Sequence, residues 1–141
     1  MEFLQADVRD PQSILEQAAQ SLDLSQPVGV LLLGVLHFLP DYDEVASIMA
    51  AFRAGTAPGT HFVVSHLASD IEPRLMASFT QQMGKAGVRP GALRSRDKVT
   101  EIFAGQDLLD PGVVPVSRWR PDTELEATAV TTLWGGVARK N

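Results

Sequence analysis

The residues of this chain that could do chemistry stand at the ends of its apolar segments. Asp7 follows the short segment Glu2–Ala6 and offers a carboxylate. His37 directly follows the run Val28–Leu36. An imidazole there, with a pKa near neutrality, can take a proton from an attacking group, which makes His37 the candidate catalytic residue. His66 lies near the end of a third apolar segment, His61–Leu67. Each has a plain structural reading as well. Asp7 can organise a turn beside Asp10, and His37 can hold a loop through backbone hydrogen bonds. Ser65-His66 is not a hydrolase pair, because neighbouring strand residues point to opposite faces and no G-x-S-x-G elbow is present. The three histidines with Asp41 and Asp43 lack ligand spacing, so no metal site is expected. The chain has no cysteine, which excludes disulfides, thiolate zinc sites and a thiol nucleophile. Arg94, Arg96, Arg118 and Arg120 are the one local basic concentration. Solvated ion pairs are expected for them, with an acidic substrate as the alternative.

These residues need a scaffold, and 141 residues suggest one domain, 1–141, to supply it. Charges of 12 basic and 17 acidic residues leave −5, with a pI near 5.1, which argues against a phosphate-backbone binder. The nine-residue run Val28–Leu36 is far short of the roughly 20 a membrane span needs. No signal peptide is visible, so the expected location is the cytoplasm, with no nucleic-acid or membrane partner.

Glu2–Ala6 reads as a short strand. Asp10-Pro11 reads as a helix cap and first helical residue, and Ile14, Leu15, Ala18, Ala19 and Leu22 extend that helix to residue 22. Val28–Leu36 does not alternate, which is the pattern of a parallel strand covered by helices on both faces. Val45, Ile48, Met49 and Phe52 mark a helix that stops at Gly55, and His61–Leu67 is the next strand. Pro73 starts a helix bearing Leu75, Met76, Phe79 and Met83. Ser95 caps a short helix with Val99, Ile102 and Phe103 on one face. Leu108–Val116 and Thr128–Arg139 are β-like, joined by a polar connector. The order β-α-β-α-β-α-(α)-β-β predicts an α/β fold: three parallel strands with right-handed helical crossovers, then an antiparallel closing strand pair.

The words Ala6-Asp7-Val8-Arg9-Asp10-Pro11 and Val35-Leu36-His37-Phe38-Leu39-Pro40-Asp41 open a collinear set. Leu93-Arg94-Ser95-Arg96, Pro111–Val116 with Arg118-Trp119-Arg120-Pro121, and Gly135–Lys140 complete it. Together they resemble S-adenosylmethionine-dependent methyltransferases of the Rossmann-like class I fold. More narrowly, they resemble an actinobacterial S-adenosyl methyltransferase family first described as a domain of unknown function. The resemblance implies a strand order of 3-2-1-4-5-7-6 and S-adenosyl-L-methionine as cofactor. It implies that Asp7 accepts from the adenine amino group and the Val8 amide meets a ring nitrogen. It places Gly34, Val35 and Leu36 under the methionine portion. The acceptor is expected to be a small molecule, which this sequence does not identify.

The departure from the family is at the start. Its glycine-rich loop and its second strand, ending in a ribose-binding carboxylate, have no counterpart here. The chain therefore reads as a partial domain, the C-terminal half of the fold, holding the cofactor only if an N-terminal half is supplied. The alternative is a non-catalytic remnant or interaction module. Either way, Val28–Leu36 would have an open edge where the family's first strand pairs. The expectation is that Glu2–Ala6 slides into that slot, or that a homodimer or a complementing N-terminal segment fills it.

Overall fold

The computed structural model of the chain describes residues 2–141. Asp10 and Pro11 begin α1 (Pro11–Ala18) as expected: Asp10 Oδ1 accepts from the Ser13 N–H at 3.1 Å, and proline occupies the first turn. The helix ends at Ala18, short of the expected residue 22. Beyond it the chain continues in turns, with the Leu22 N–H on the Ala18 carbonyl. β1 (Gly29–Leu33) follows, then a 3-10 turn, Leu36–Phe38. α2 (Tyr42–Ala54) buries Val45, Ile48, Met49 and Phe52, the stripe that its spacing predicts. β2 (His61–Leu67), α3 (Pro73–Lys85) and α4 (Arg96–Glu101) come next. Ser95 caps α4 through its Oγ on the Lys98 N–H.

The expected strand Leu108–Val116 is two short pieces, β3 (Asp107–Leu108) and β4 (Val114–Pro115). Between them Pro111 has no N–H to give a ladder, and Gly112 sits at φ +83°, so the extended run breaks. The polar connector holds a one-turn helix, α5 (Glu124–Ala127), capped by Thr123 Oγ1 on the Glu126 N–H. β5 (Leu133–Arg139) closes the sheet and is shorter than the expected 128–139.

The strand order is β1-β2-β5-β3, with β4 also on β5. β1 and β2 are parallel. β5 lies antiparallel to β2 from His61↔Arg139 to Leu67↔Leu133, and antiparallel to β3 and β4. In the numbering of the resembling fold this is 4-5-7-6. The expectation of three parallel strands is corrected to two. Residues 2–6 form no strand and do not pair with β1. A strand needs a neighbour to satisfy its backbone donors and acceptors, and this segment stands apart from β1. A gap of about 360 Å³ lies between them, lined by Leu4, Ala6 and Val8 on one side and Val30 and Leu31 on the other.

The core lies against one face of the sheet. Leu32, Phe62, Val64 and Ala138 are buried there among Leu15, Ile48, Phe52, Val99 and Phe103. Gly136 leaves room for it: a Cβ there would come within 2.9 Å of the Phe103 ring. The opposite face differs from the two-sided burial expected of a parallel strand, because Leu31 and Leu33 are exposed. α3 buries only Met76 and leaves Leu75 and Phe79 exposed.

Candidate functional site

Two segments meet at the carboxyl end of β1 and enclose an open cleft of about 720 Å³. Gln5–Arg9 form one wall, and Val35, Phe38 and Leu39 the other. The first wall is fixed by a turn at Asp7. Its Oδ1 accepts from the Arg9 N–H at 2.9 Å, its carbonyl accepts from the Asp10 N–H at 2.9 Å, and Arg9 Nε reaches Glu44 of α2 at 3.1 Å. Asp7 thus organises the turn, as its plain reading has it. Among the described residues, neither Asp7 Oδ2 nor the Val8 N–H has a hydrogen-bond partner.

The second wall begins where β1 ends. Gly34 takes φ +63°, a left-handed conformation that turns the chain out of the strand. Its N–H is held by both the Ser65 Oγ at 3.0 Å and the Ser65 carbonyl at 3.3 Å. Val35 lines the cleft. Gly34 and Leu36 do not: Leu36 is wholly buried in the core. The sequence-derived set is therefore divided, with Asp7, Val8 and Val35 at one cleft and Gly34 and Leu36 behind its wall.

His37 is behind the wall too. Its ring is buried against Phe38, with ring centroids 4.4 Å apart, and edge-on to His66 at 5.9 Å. Gly91 lies over it so closely that a Cβ there would fall 2.6 Å from the imidazole. Burial first, and then the Arg94 charge, lower the His37 pKa, so the ring is neutral at neutral pH. Its Nδ1 is enclosed without a partner.

Arg94 is the residue that the spacing could not reveal. The solvated ion pair expected of it is absent: the side chain is buried, and no carboxylate pairs with it among the described residues. Its Nη1 meets His66 Nε2 at 2.6 Å and the Leu36 carbonyl at 3.3 Å. Its Nη2 donates to the Leu39 carbonyl at 2.7 Å and to Pro40 at 3.4 Å. His66 Nδ1 donates to the Leu67 carbonyl at 2.8 Å, which leaves Nε2 as the acceptor and fixes the tautomer. Burial pushes the His66 pKa down to about 4. Arg96 and Arg120 likewise bind carbonyls, of Val113 and Asp110, rather than acids. Arg120 also lies over the Trp119 ring.

A parallel pair continued by an antiparallel β5 between β2 and β3, with a cleft at the carboxyl end of β1, defines part of a Rossmann-like methyltransferase sheet. The chain belongs to the S-adenosyl methyltransferase family, whose sequence profile matches it over residues 1–141. It is similar to the DUF574 family protein of Streptomyces avermitilis, at 28% identity and a TM-score of 0.87, over 98% of this chain and 54% of that one. It is also similar to a Thermobifida fusca protein to which methyltransferase activity is ascribed. That match has 29% identity and a TM-score of 0.82, over 98% of this chain and 53% of that one. Human N-acetylserotonin methyltransferase, solved with S-adenosylmethionine, shares the fold at 15% identity and a TM-score of 0.58, over 99% of this chain and 34% of that one. The chain thus spans about half the length of the two bacterial structures, consistent with the C-terminal half of the fold. No curated protein matches it.

Proposed function

We propose that this chain is the adenine-binding part of a cytoplasmic S-adenosylmethionine-dependent methyltransferase acting on a small molecule. The observation that carries the reading is that Asp7 and Val8 line one cleft with Val35, which is distant from them in sequence, at a strand's carboxyl end, where open α/β sheets bind ligands. The donor set suits adenine. Asp7 Oδ2 is free to accept from an exocyclic amine and the Val8 N–H is free to donate to a ring nitrogen, while Val35 on the facing wall is left for the methionine portion. The cleft volume lies in the ordinary range for small-molecule sites, about 300–1,000 Å³. Bound there, the cofactor would supply an electrophilic sulfonium methyl. The chain's own part is to orient it, since in-line transfer needs positioning more than acid–base help. His37 can serve as a base only through Nε2, because Nδ1 is enclosed.

In this reading the glycine-rich turn and the ribose carboxylate come from a complementing N-terminal segment or a partner chain laid along the open edge of β1. The gap between Leu4–Val8 and β1, which runs along that edge, supports the reading. Isothermal titration tests both parts. Losing two or three polar contacts, each worth about 1–3 kcal/mol, should leave the isolated chain with roughly millimolar affinity for S-adenosylmethionine. A low-micromolar constant for the isolated monomer would overturn the need for a complement. With the N-terminal part supplied, Asp7→Ala should weaken binding about tenfold or more, and His37→Ala should leave it unchanged. Equal affinity of wild type and Asp7→Ala would remove the adenine assignment.

A further inference from the structure

We propose that Arg94 is the positioning residue of the cleft: its guanidinium, seated on His66, fixes the Val35–Leu39 wall without lining the cleft itself. The identity of the ligand rests on the reading above; the role of Arg94 does not. The segment that carries Arg94 crosses the carboxyl ends of both parallel strands. The Arg94 N–H bonds the Leu67 carbonyl at 3.1 Å, the Ser69 N–H bonds the Arg94 carbonyl at 3.0 Å, and the Ala92 N–H bonds the His37 carbonyl at 2.6 Å. The side chain then descends between β2 and the 3-10 turn. Its two terminal nitrogens collect the carbonyls of Leu36, Leu39 and Pro40, which bracket Phe38 and include Leu39 itself. Of these, Phe38 and Leu39 line the wall.

The charge is what makes this more than packing. A buried cation is costly, and replacing such a group with an apolar one of similar volume is often neutral or stabilising. Here only one side would be replaced, so removing the arginine would strand the Leu36 and Leu39 carbonyls and His66 Nε2 at this turn. What an apolar residue could not do is hold three carbonyls from one short turn in a fixed array. The neutral His66 ring completes the seat: its Nδ1–H is committed to Leu67, so Nε2 faces Arg94 as an acceptor and not as a second cation. Lysine would not serve equally, because one ammonium cannot span both the His66–Leu36 and the Leu39–Pro40 acceptors that the planar fork reaches.

The test is amide hydrogen exchange on the full chain, read residue by residue by NMR, in wild type, Arg94→Lys and Arg94→Met. The reporters are the Phe38 and Leu39 amides, which bond the Val35 and Leu36 carbonyls at 3.1 and 3.2 Å. Loss of one or more charge-assisted bonds should speed their exchange by about tenfold or more in Arg94→Met, and by less in Arg94→Lys. The β2–β5 ladder amides should accelerate by a smaller factor than the wall amides. Unchanged exchange at Phe38 and Leu39 would overturn the proposal, and so would uniform acceleration through β2 and β5, which would mark a merely structural residue. Wild-type histidine ¹⁵N shifts give a second measurement that needs no variant. His66 should be the neutral Nδ1–H tautomer, and an Nε2–H tautomer would remove the Arg94 seat. Adding S-adenosylhomocysteine to the same samples separates the two readings. If no wall amide shifts even at millimolar concentration, the cofactor assignment fails while the exchange data still decide the role of Arg94.

Discussion

On one face of the sheet Leu32, Phe62 and Val64 are 6%, 0% and 1% exposed; on the other, Leu31 and Leu33, from the same strand as Leu32, are 60% and 52% exposed. Both sets are apolar, and both come from runs that read as two-sided strands. The helices whose side chains enter the core, α1, α2 and α4, serve the first face. Burying a leucine fully is worth about 1.5–3 kcal/mol, so the second face forgoes a stabilisation that its sequence is written to collect. An unbroken apolar run therefore reports the cover a strand is suited to, not the cover it has within 141 residues.

The largest expected contrast follows directly. Phe62→Ala, at the centre of the covered face, should cost about 3–5 kcal/mol, whereas Leu33→Ala should change stability by less than about 0.5 kcal/mol. Urea unfolding of the two variants measures it. A Leu33→Ala cost comparable to that of Phe62→Ala would mean that the second face is covered in solution, and the contrast would collapse.

His66 sharpens the same comparison, because it is a polar residue on the covered face, beside Phe62 and Val64. Its pKa is about 4 in the folded chain, against about 6.5 when unfolded. The unfolded state therefore takes up the proton first. The contribution is fully present above pH 6.5 and is lost as pH falls towards 4, by roughly 3 kcal/mol in total. Arg94 and His37 face the ring, and their positive or potentially positive charge acts in the same direction. His66→Asn keeps an acceptor for Arg94 and should flatten the stability profile between pH 6.5 and 4. A residual slope of the same sign belongs to His37, whose pKa is also lowered. A profile unchanged in the variant would place the His66 ring in water.

What the sequence disclosed follows the range of the interactions involved. Asp10-Pro11 and Ser95 were legible as helix starts because a cap acts over three residues. The α2 stripe and the strands β1 and β2 were legible because periodicity and apolar runs are local. The small helix α5 also had a local signal, Thr123 followed three residues later by Glu126, which also accepts from the Asp122 N–H. Glu2–Ala6 misled for the opposite reason: a segment can have strand composition and yet be no strand if nothing lies beside it. The His66–Arg94 contact joins residues 28 apart, and no spacing rule brings them together. The resemblance gives Asp7 and Val8 to the adenine and Gly34, Val35 and Leu36 to the methionine portion, and of these Asp7, Val8 and Val35 line one cleft. Gly34 and Leu36 do not line it, because the left-handed turn at Gly34 sends Leu36 into the core.

The smallest effect on stability should carry the largest effect on association. β1 pairs with β2 alone, so its other edge presents unpaired backbone groups beside the exposed Leu31 and Leu33. Such an edge is a template for another strand. In the absence of any other chain the available partner is a second copy, and a two-fold axis at the edge would set the two β1 strands antiparallel in one continuous sheet. Sedimentation of the purified chain should therefore show a dimer or larger species. Leu31→Lys with Leu33→Lys places charges on that edge and face, where folded stability has little at stake. It should give a monomer whose urea stability is within about 0.5 kcal/mol of wild type measured at a concentration where both are monomeric, because neither side chain enters the core. A wild-type monomer at every concentration would remove the edge as a self-association site. If adding the N-terminal part of a full-length relative converts the dimer to a heterodimer while the lysine variant resists it, the same edge serves both partners. The apolar residues of the bare face would then be accounted for by what lies upon them.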